Sequence, residues 1–239
     1  MPRISGDLDG LRREASGGLE VCGIPGAGKS TLVGLLFGDK TQAGVWAWRN
    51  DVVSYAPLSL SRRVIWILHP GIWVLAGLIF FPTGEVRARM RRGLVVVKEI
   101  LKTDLRRNQK AILDQGILQS LSAFLIYCPP VGPILTKLLL NAAYARRWPA
   151  LVILVSANSV EAHDSLGIRK KSASHNPTDI DGLEDAKALR ALKKQASILE
   201  MMCGHVAQKT SIRRVRRREG VFQICDPLRG RGEFLGGRR

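Results

Sequence analysis

Gly23-Ile24-Pro25-Gly26-Ala27-Gly28-Lys29-Ser30-Thr31 sets glycines, a lysine and paired hydroxyls in the spacing G-x-x-x-x-G-K-[ST]. Each residue type has a physical job in holding an anion. Glycines let the backbone curl until successive amides converge on phosphate oxygens, and a helix opening behind them adds partial positive charge. Lys29 would neutralise the β- and γ-oxygens of a triphosphate, and the Ser30 hydroxyl would sit on a Mg²⁺ bridging those oxygens. The segment therefore points to a nucleoside triphosphate, with Gly23, Gly26, Ala27, Gly28, Lys29, Ser30 and Thr31 as its candidate contacts.

Holding a triphosphate does not decide what becomes of its γ-phosphate, which takes a carboxylate to serve magnesium or act as a base. Asp114 is the best-placed candidate. It closes the short apolar run Ala111-Ile112-Leu113, at the carboxyl end of an expected core strand, where an open parallel sheet has its ligand crevice. From there it could hold Mg²⁺ through water or accept a proton from an acceptor hydroxyl. An aspartate at that place also suits a helix cap, and Asp51 is an alternative base.

These residues need strands and helices to carry them. Leu19, Val21 and Cys22 read as a strand leading into the loop, and Thr31 to Phe37 as a helix behind it, with Gly38 as its stop. Leu151-Val152-Ile153-Leu154-Val155 has the unbroken β-branched character of a strand buried on both faces, which implies a parallel sheet. Val221 to Cys225 reads as a last strand, and Val45 to Val53 as a further one. A short helix is expected over Val160 to Leu166. Leu183, Ala186, Leu189, Leu192, Ala196, Leu199 and Cys203 trace one face of a long helix, with Asp181 as its cap. Alternation of this kind predicts an α/β three-layer sandwich with a mostly parallel sheet and an α-helical insertion.

The insertion is expected over about 58–108. Leu68, Ile72, Leu75 and Ile79 recur at the spacing of one buried helical face, with Pro70 in the first turn of a helix starting near His69. Leu94, Val97, Leu101 and Leu105 do the same from Gly93 to Lys110. Arginines at 62–63 and within 87–92 flank the apolar stretch Val64 to Phe81, so a buried helix pair is expected there, with peripheral contact with an anionic membrane or a membrane-spanning helix as alternatives. The second apolar stretch, Ile117 to Leu140, contains Pro129, Pro130 and Pro133 and is expected to break into two shorter helices.

The 239 residues suit one domain over 19–227, preceded by a polar leader over 1–18 without structural elements and followed by a basic disordered tail over 228–239. No apolar secretory core precedes the loop, and Cys22, Cys128, Cys203 and Cys225 have no pairing pattern, which fits reduced thiols in the cytoplasm. Cys203 and His205 are too few for a zinc site. With 37 Lys and Arg against 20 Asp and Glu, the net charge of +17 favours anionic partners. No aromatic residues interleave the clusters Arg87 to Arg92 and Arg213 to Arg218, so they read as solvated basic surface, with phosphate or membrane contact as the alternative.

The order of these parts resembles the P-loop nucleoside and nucleotide kinases, particularly the thymidylate-kinase-like group. The resemblance is carried by the Gly23 to Thr31 loop, the strand ending in Asp114-Gln115-Gly116, the strand Leu151 to Val155, and the basic Arg169 to Asn176 segment before a long helix. It implies ATP and Mg²⁺ as ligands and phosphoryl transfer to a small-molecule or nucleotide acceptor. It also implies a mobile lid in which Arg169, with Lys170 or Lys171, reaches the transferring phosphate. The group commonly carries Asp-Arg where this chain has Asp114-Gln115, and Arg106 or Arg107 could substitute. A GTPase is disfavoured because no N-K-x-D sequence occurs. A non-catalytic or regulatory ATP-binding protein at a membrane face is the alternative, and a nucleic-acid-dependent ATPase rests on charge alone.

Overall fold

The computed structural model describes residues 3–6, 8–15, 18–37, 68–82, 86–105, 112–114, 116–144, 148–170, 185–218 and 221–227. Its strands are β1 (Arg3–Ser5), β2 (Leu19–Gly23), β3 (Ile112–Asp114), β4 (Leu151–Ser156), β5 (Ser211–Arg218) and β6 (Val221–Pro227). They form one six-stranded sheet in the order β1-β6-β5-β4-β2-β3. Four of them, β3, β2, β4 and β5, run parallel, with Val21 opposite both Asp114 and Ile153. The hairpin partner β6 turns back antiparallel on β5, and β1 pairs with β6 in parallel.

The helices are α1 (Leu8–Glu14), α2 (Lys29–Phe37), α3 (Pro70–Phe80), α4 (Val86–Leu105), α5 (Ile117–Leu125), α6 (Pro133–Ala143), α7 (Ser159–Lys170) and α8 (Asp185–Val206). Successive strand residues point to opposite faces. Glu20 meets α5 through the Leu118 amide, and Arg214 meets α8 through Glu200, so these helices cover one face. Arg213 meets Glu14 of α1, and Arg217 meets Ser165 of α7, on the opposite face. Helices on both sides of a mostly parallel sheet make an α/β three-layer arrangement. β4 is buried on both faces from Leu151 to Val155, as its unbroken apolar run requires.

Several elements follow the sequence closely. His69 caps α3 by accepting the Gly71 amide on Nδ1, with Pro70 at the first helical position. The prolines at 129, 130 and 133 separate α5 from α6. Other expectations are corrected. The first 18 residues are not a bare leader: β1 extends the sheet, and α1 buries Leu11 and Ala15 while Glu14 pairs with Arg213. The buried face of α3 is Gly71, Leu75 and Leu78, with Leu68 exposed before the helix begins. On α4 the face is Gly93, Val96 and Ile100, and Leu94 is left in solvent.

On α8, Leu192, Leu199 and Cys203 are buried as expected, but Ala188 takes the place of the exposed Ala186. The arginine run 213–218 is a strand, β5, held between β4 and β6, not merely solvated surface. Ile212 and Val215 anchor it in the core while its guanidinium groups leave on both faces. The expected strand near 45–53, Asp51, Arg106, Arg107, the Asp181 cap and the tail from 228 lie outside the described residues. Among the described residues, no helix is long and apolar enough to cross a membrane.

Candidate functional site

β2 ends at Gly23 and α2 begins at Lys29, so the glycine-rich segment is a loop between a central strand and a helix N-terminus. Its curl depends on Gly26 and Gly28, at φ +82° and +89°, a region that costs side chains with a Cβ. Gly26 has a second constraint, because a Cβ there would lie 2.1 Å from the Ala162 carbonyl oxygen in the first turn of α7. Gly23 is equally crowded: a Cβ would meet the Val155 carbonyl oxygen at 2.5 Å. Within the loop Ala27 donates its amide to Ile24 O at 3.2 Å, and Leu32 donates to Gly28 O at 2.9 Å as α2 starts.

Lys29 is buried, and its Nζ donates to Gly23 O and Ile24 O, each at 3.0 Å. The ammonium is thereby held inside the curl, where it offsets the carbonyl dipoles and leaves a positive centre beneath the loop. Ser30 and Thr31, in the first turn of α2, face solvent. Arg217 approaches from β5: its Nη1 donates to Gly26 O at 2.8 Å and to Ser165 Oγ at 3.3 Å.

Asp114 ends β3 directly beside β2, in register with Val21, which puts its backbone at the same sheet edge as the loop. Only its backbone is described. A buried polar network holds β2 against the helix that follows β3. Gln119 Oε1 accepts the Gly23 amide at 3.1 Å, and Ser122 Oγ bridges Gln195 Nε2 and Gln119 O at 3.1 and 2.9 Å. Glu20 accepts the Leu118 amide and the Tyr144 hydroxyl, both at 2.6 Å. Together these bonds tie the end of β2 to the first turn of α5, the helix that follows β3.

Burial pushes the Glu20 carboxyl up to about 7, against the lowering effect of its Tyr144 and Leu118 hydrogen bonds. Tyr144 is raised well above the usual phenol range by burial and by Glu20. Cys22, one residue before the loop, is raised well above its ordinary value by the Cys203 thiol beside it and by burial, so it stays a protonated thiol.

Arg169 departs from expectation. It lies in the last turn of α7 rather than in a loop, ~10 Å along the helix axis from the Ala162 that packs on Gly26. Its side chain is not described, and Lys171 to Pro177 lie outside the described residues. Among the described side chains, the guanidinium seated against the loop is that of Arg217. Arg217 is not distinguishable in the sequence, because it stands inside an arginine run that looks like uniform surface. Glu20 had a legible signal, a lone carboxylate inside an apolar strand. Gln119 and Tyr144 had none, because their partners are 96 and 124 positions away.

Comparison with protein-family models and with curated proteins finds no match.

Proposed function

We propose that the Gly23–Thr31 loop binds ATP with Mg²⁺ and that the chain transfers the γ-phosphoryl group to a small-molecule or nucleotide acceptor, in the manner of the thymidylate-kinase-like P-loop kinases. One observation carries this reading: the loop leaves a central parallel strand whose immediate neighbour, β3, ends in an aspartate at the same sheet edge. The residues fit the ligand. Gly26 and Gly28 bend the loop at positive φ, Lys29 is held against its carbonyls, and Ser30 is exposed at the start of α2. Magnesium bound there would neutralise charge on the β- and γ-oxygens and orient them.

In this reading Lys29 and the α2 N-terminus would stabilise charge on the phosphates, Ser30 and Asp114 would supply oxygen to the metal, and Asp114 would take a proton from the acceptor hydroxyl. Arg169, in the last turn of α7, would be the cation that reaches the transferring phosphate, and Arg217 would brace the loop through the Gly26 carbonyl. Calorimetric titration with ATP and Mg²⁺, followed by a phosphoryl-transfer assay on nucleosides, nucleotides and sugars, tests the reading. Lys29→Ala should weaken ATP binding by about 100-fold, the scale of one charge-assisted contact of roughly 3 kcal/mol. ATP binding without transfer to any acceptor would leave only a binding protein.

That second reading, a non-catalytic or regulatory ATP-binding protein at an anionic membrane face, has its own observation. Trp73, Phe80 and Ile134 are 64%, 69% and 76% exposed on α3 and α6, with Arg87 and Arg91 exposed on the neighbouring α4. Large apolar side chains beside cations are what an interfacial surface requires. Retention on anionic vesicles that is abolished by Trp73→Ser with Phe80→Ser would favour it. No retention would exclude it.

A further inference from the structure

Beside the loop, at the carboxyl edge of β4 and β5, lies a cleft of about 500 Å³ whose walls include Ser156, Arg214, Arg216, Arg217 and Arg218. Two glutamates, Glu161 and Glu200, also line it, and Arg214 pairs with Glu200. Four arginines against two glutamates leave a cationic excess in a concave site, which is the arrangement that focuses potential on an anion. We propose that this cleft binds a phosphomonoester group distinct from the triphosphate held at the Gly23–Thr31 loop. This inference goes beyond the phosphoryl-transfer reading and does not depend on turnover.

Three features support it. Guanidinium groups offer paired N–H donors that match phosphate oxygens, and here all four, from Arg214, Arg216, Arg217 and Arg218, belong to one strand near its carboxyl end. Ser156 Oγ and Arg214 Nε, both on the cleft wall, are shielded from solvent and have no hydrogen-bond partner among the described residues. Buried polar atoms without a protein partner call for a water or an ion close by. Finally, Arg217 lines the cleft and also donates to Gly26 O, so the cleft adjoins the loop without sharing its backbone cradle.

The phosphomonoester could be a second ester on the nucleotide itself or belong to a separate molecule, and two measurements on the full chain separate these sources. The first compares adenosine 3′,5′-bisphosphate with AMP by calorimetry. The second follows uptake of labelled inorganic phosphate by equilibrium dialysis with a non-hydrolysable ATP analogue and Mg²⁺ at saturation. Each is run on the native chain, on Arg216→Glu with Arg218→Glu, and on Arg87→Glu with Arg91→Glu. The two pairs remove equal charge from exposed positions, so only the first should act locally.

A bisphosphate preference of about tenfold or more, lost in the 216/218 variant alone, assigns the site to the nucleotide's own ester. Phosphate uptake lost in that variant alone assigns it to a separate phosphorylated molecule. Neither effect, or an equal loss in both variants, overturns the proposal. Analogue binding is measured in the same proteins: its absence would count against the triphosphate reading, while phosphate uptake measured without nucleotide would still test the cleft.

Discussion

Tyr144 donates its hydroxyl to Glu20 Oε2 at 2.6 Å, from α6's C-terminal end into the middle of a central strand. Both groups are fully enclosed, and Tyr144 is held in turn by stacking on Trp148 at 4.7 Å. A carboxyl inside β2 would ordinarily disrupt the core. Here it joins β2, α5 and α6, three residues before the Gly23 amide that Gln119 accepts. The loop is thus positioned by polar bonds to helices as well as by its strand.

Glu20 makes stability depend on pH in a stated direction. Its carboxyl is raised from 4.5 to about 7 in the folded chain, so the native state binds more protons than the unfolded state between those values. Its contribution is complete below about 4.5 and is lost as pH rises through 7. Glu20→Gln keeps an acceptor for Leu118 and removes the titration. Urea melts should show the variant gaining on the native chain by roughly 2–3 kcal/mol between pH 5 and pH 8. Parallel pH profiles would show that Glu20 titrates normally.

The loop's tolerance for side chains is sharply local. Gly26→Ala places a Cβ 2.1 Å from Ala162 O at a φ of +82°, and should cost roughly 3 kcal/mol through strain and overpacking. Gly77→Ala, on α3 with nothing within 4 Å of the added carbon, should gain about 0.5–1 kcal/mol from helix propensity. Denaturant midpoints of the two variants, read in one buffer, check both signs.

The N-terminal segment is part of the core. Leu11 is 3% exposed under the sheet, and Glu14 bonds Arg213 Nε at 3.0 Å. Leu11→Ala should cost about 2 kcal/mol, the lower end for a buried leucine on a short peripheral helix. A flexible leader would show no loss.

What the sequence makes legible follows from how local each signal is. The loop, α2, the proline break between α5 and α6, and β4 are written in contiguous residues, so spacing and hydropathy reveal them. Arg3 to Ser5 is too short and polar to read as a strand until Val221 to Gln223 lies beside it. β5 hides for a different reason: arginines fill its sequence, and only pairing on both edges makes Ile212 and Val215 its core positions. On α3 and α4 the helical period is plain, but neighbouring helices set which face is buried, and no single helix records that. The site divides the same way, since Gly23 to Thr31 and Asp114 are local and the contacts of Gln119, Tyr144 and Arg217 are not.

Arg217 gives the test that separates support of the loop from mere basic surface. Its Nη1 spans Gly26 O and Ser165 Oγ, joining β5, the loop and α7 at one point. Removing it leaves the Gly26 carbonyl without that donor, while Ile212 and Val215 still anchor the strand. Arg217→Ala should therefore leave the melting midpoint within about 1 kcal/mol of native, yet accelerate amide exchange in residues 24–29 by tenfold or more, as a charge-assisted bond of roughly 1.5 kcal/mol requires. Lys at 217 cannot bridge both acceptors with a planar fork and should rescue only part of the protection. If exchange is unchanged in both variants, the loop is held by Lys29 and Gln119 alone and Arg217 serves only the cleft beside it.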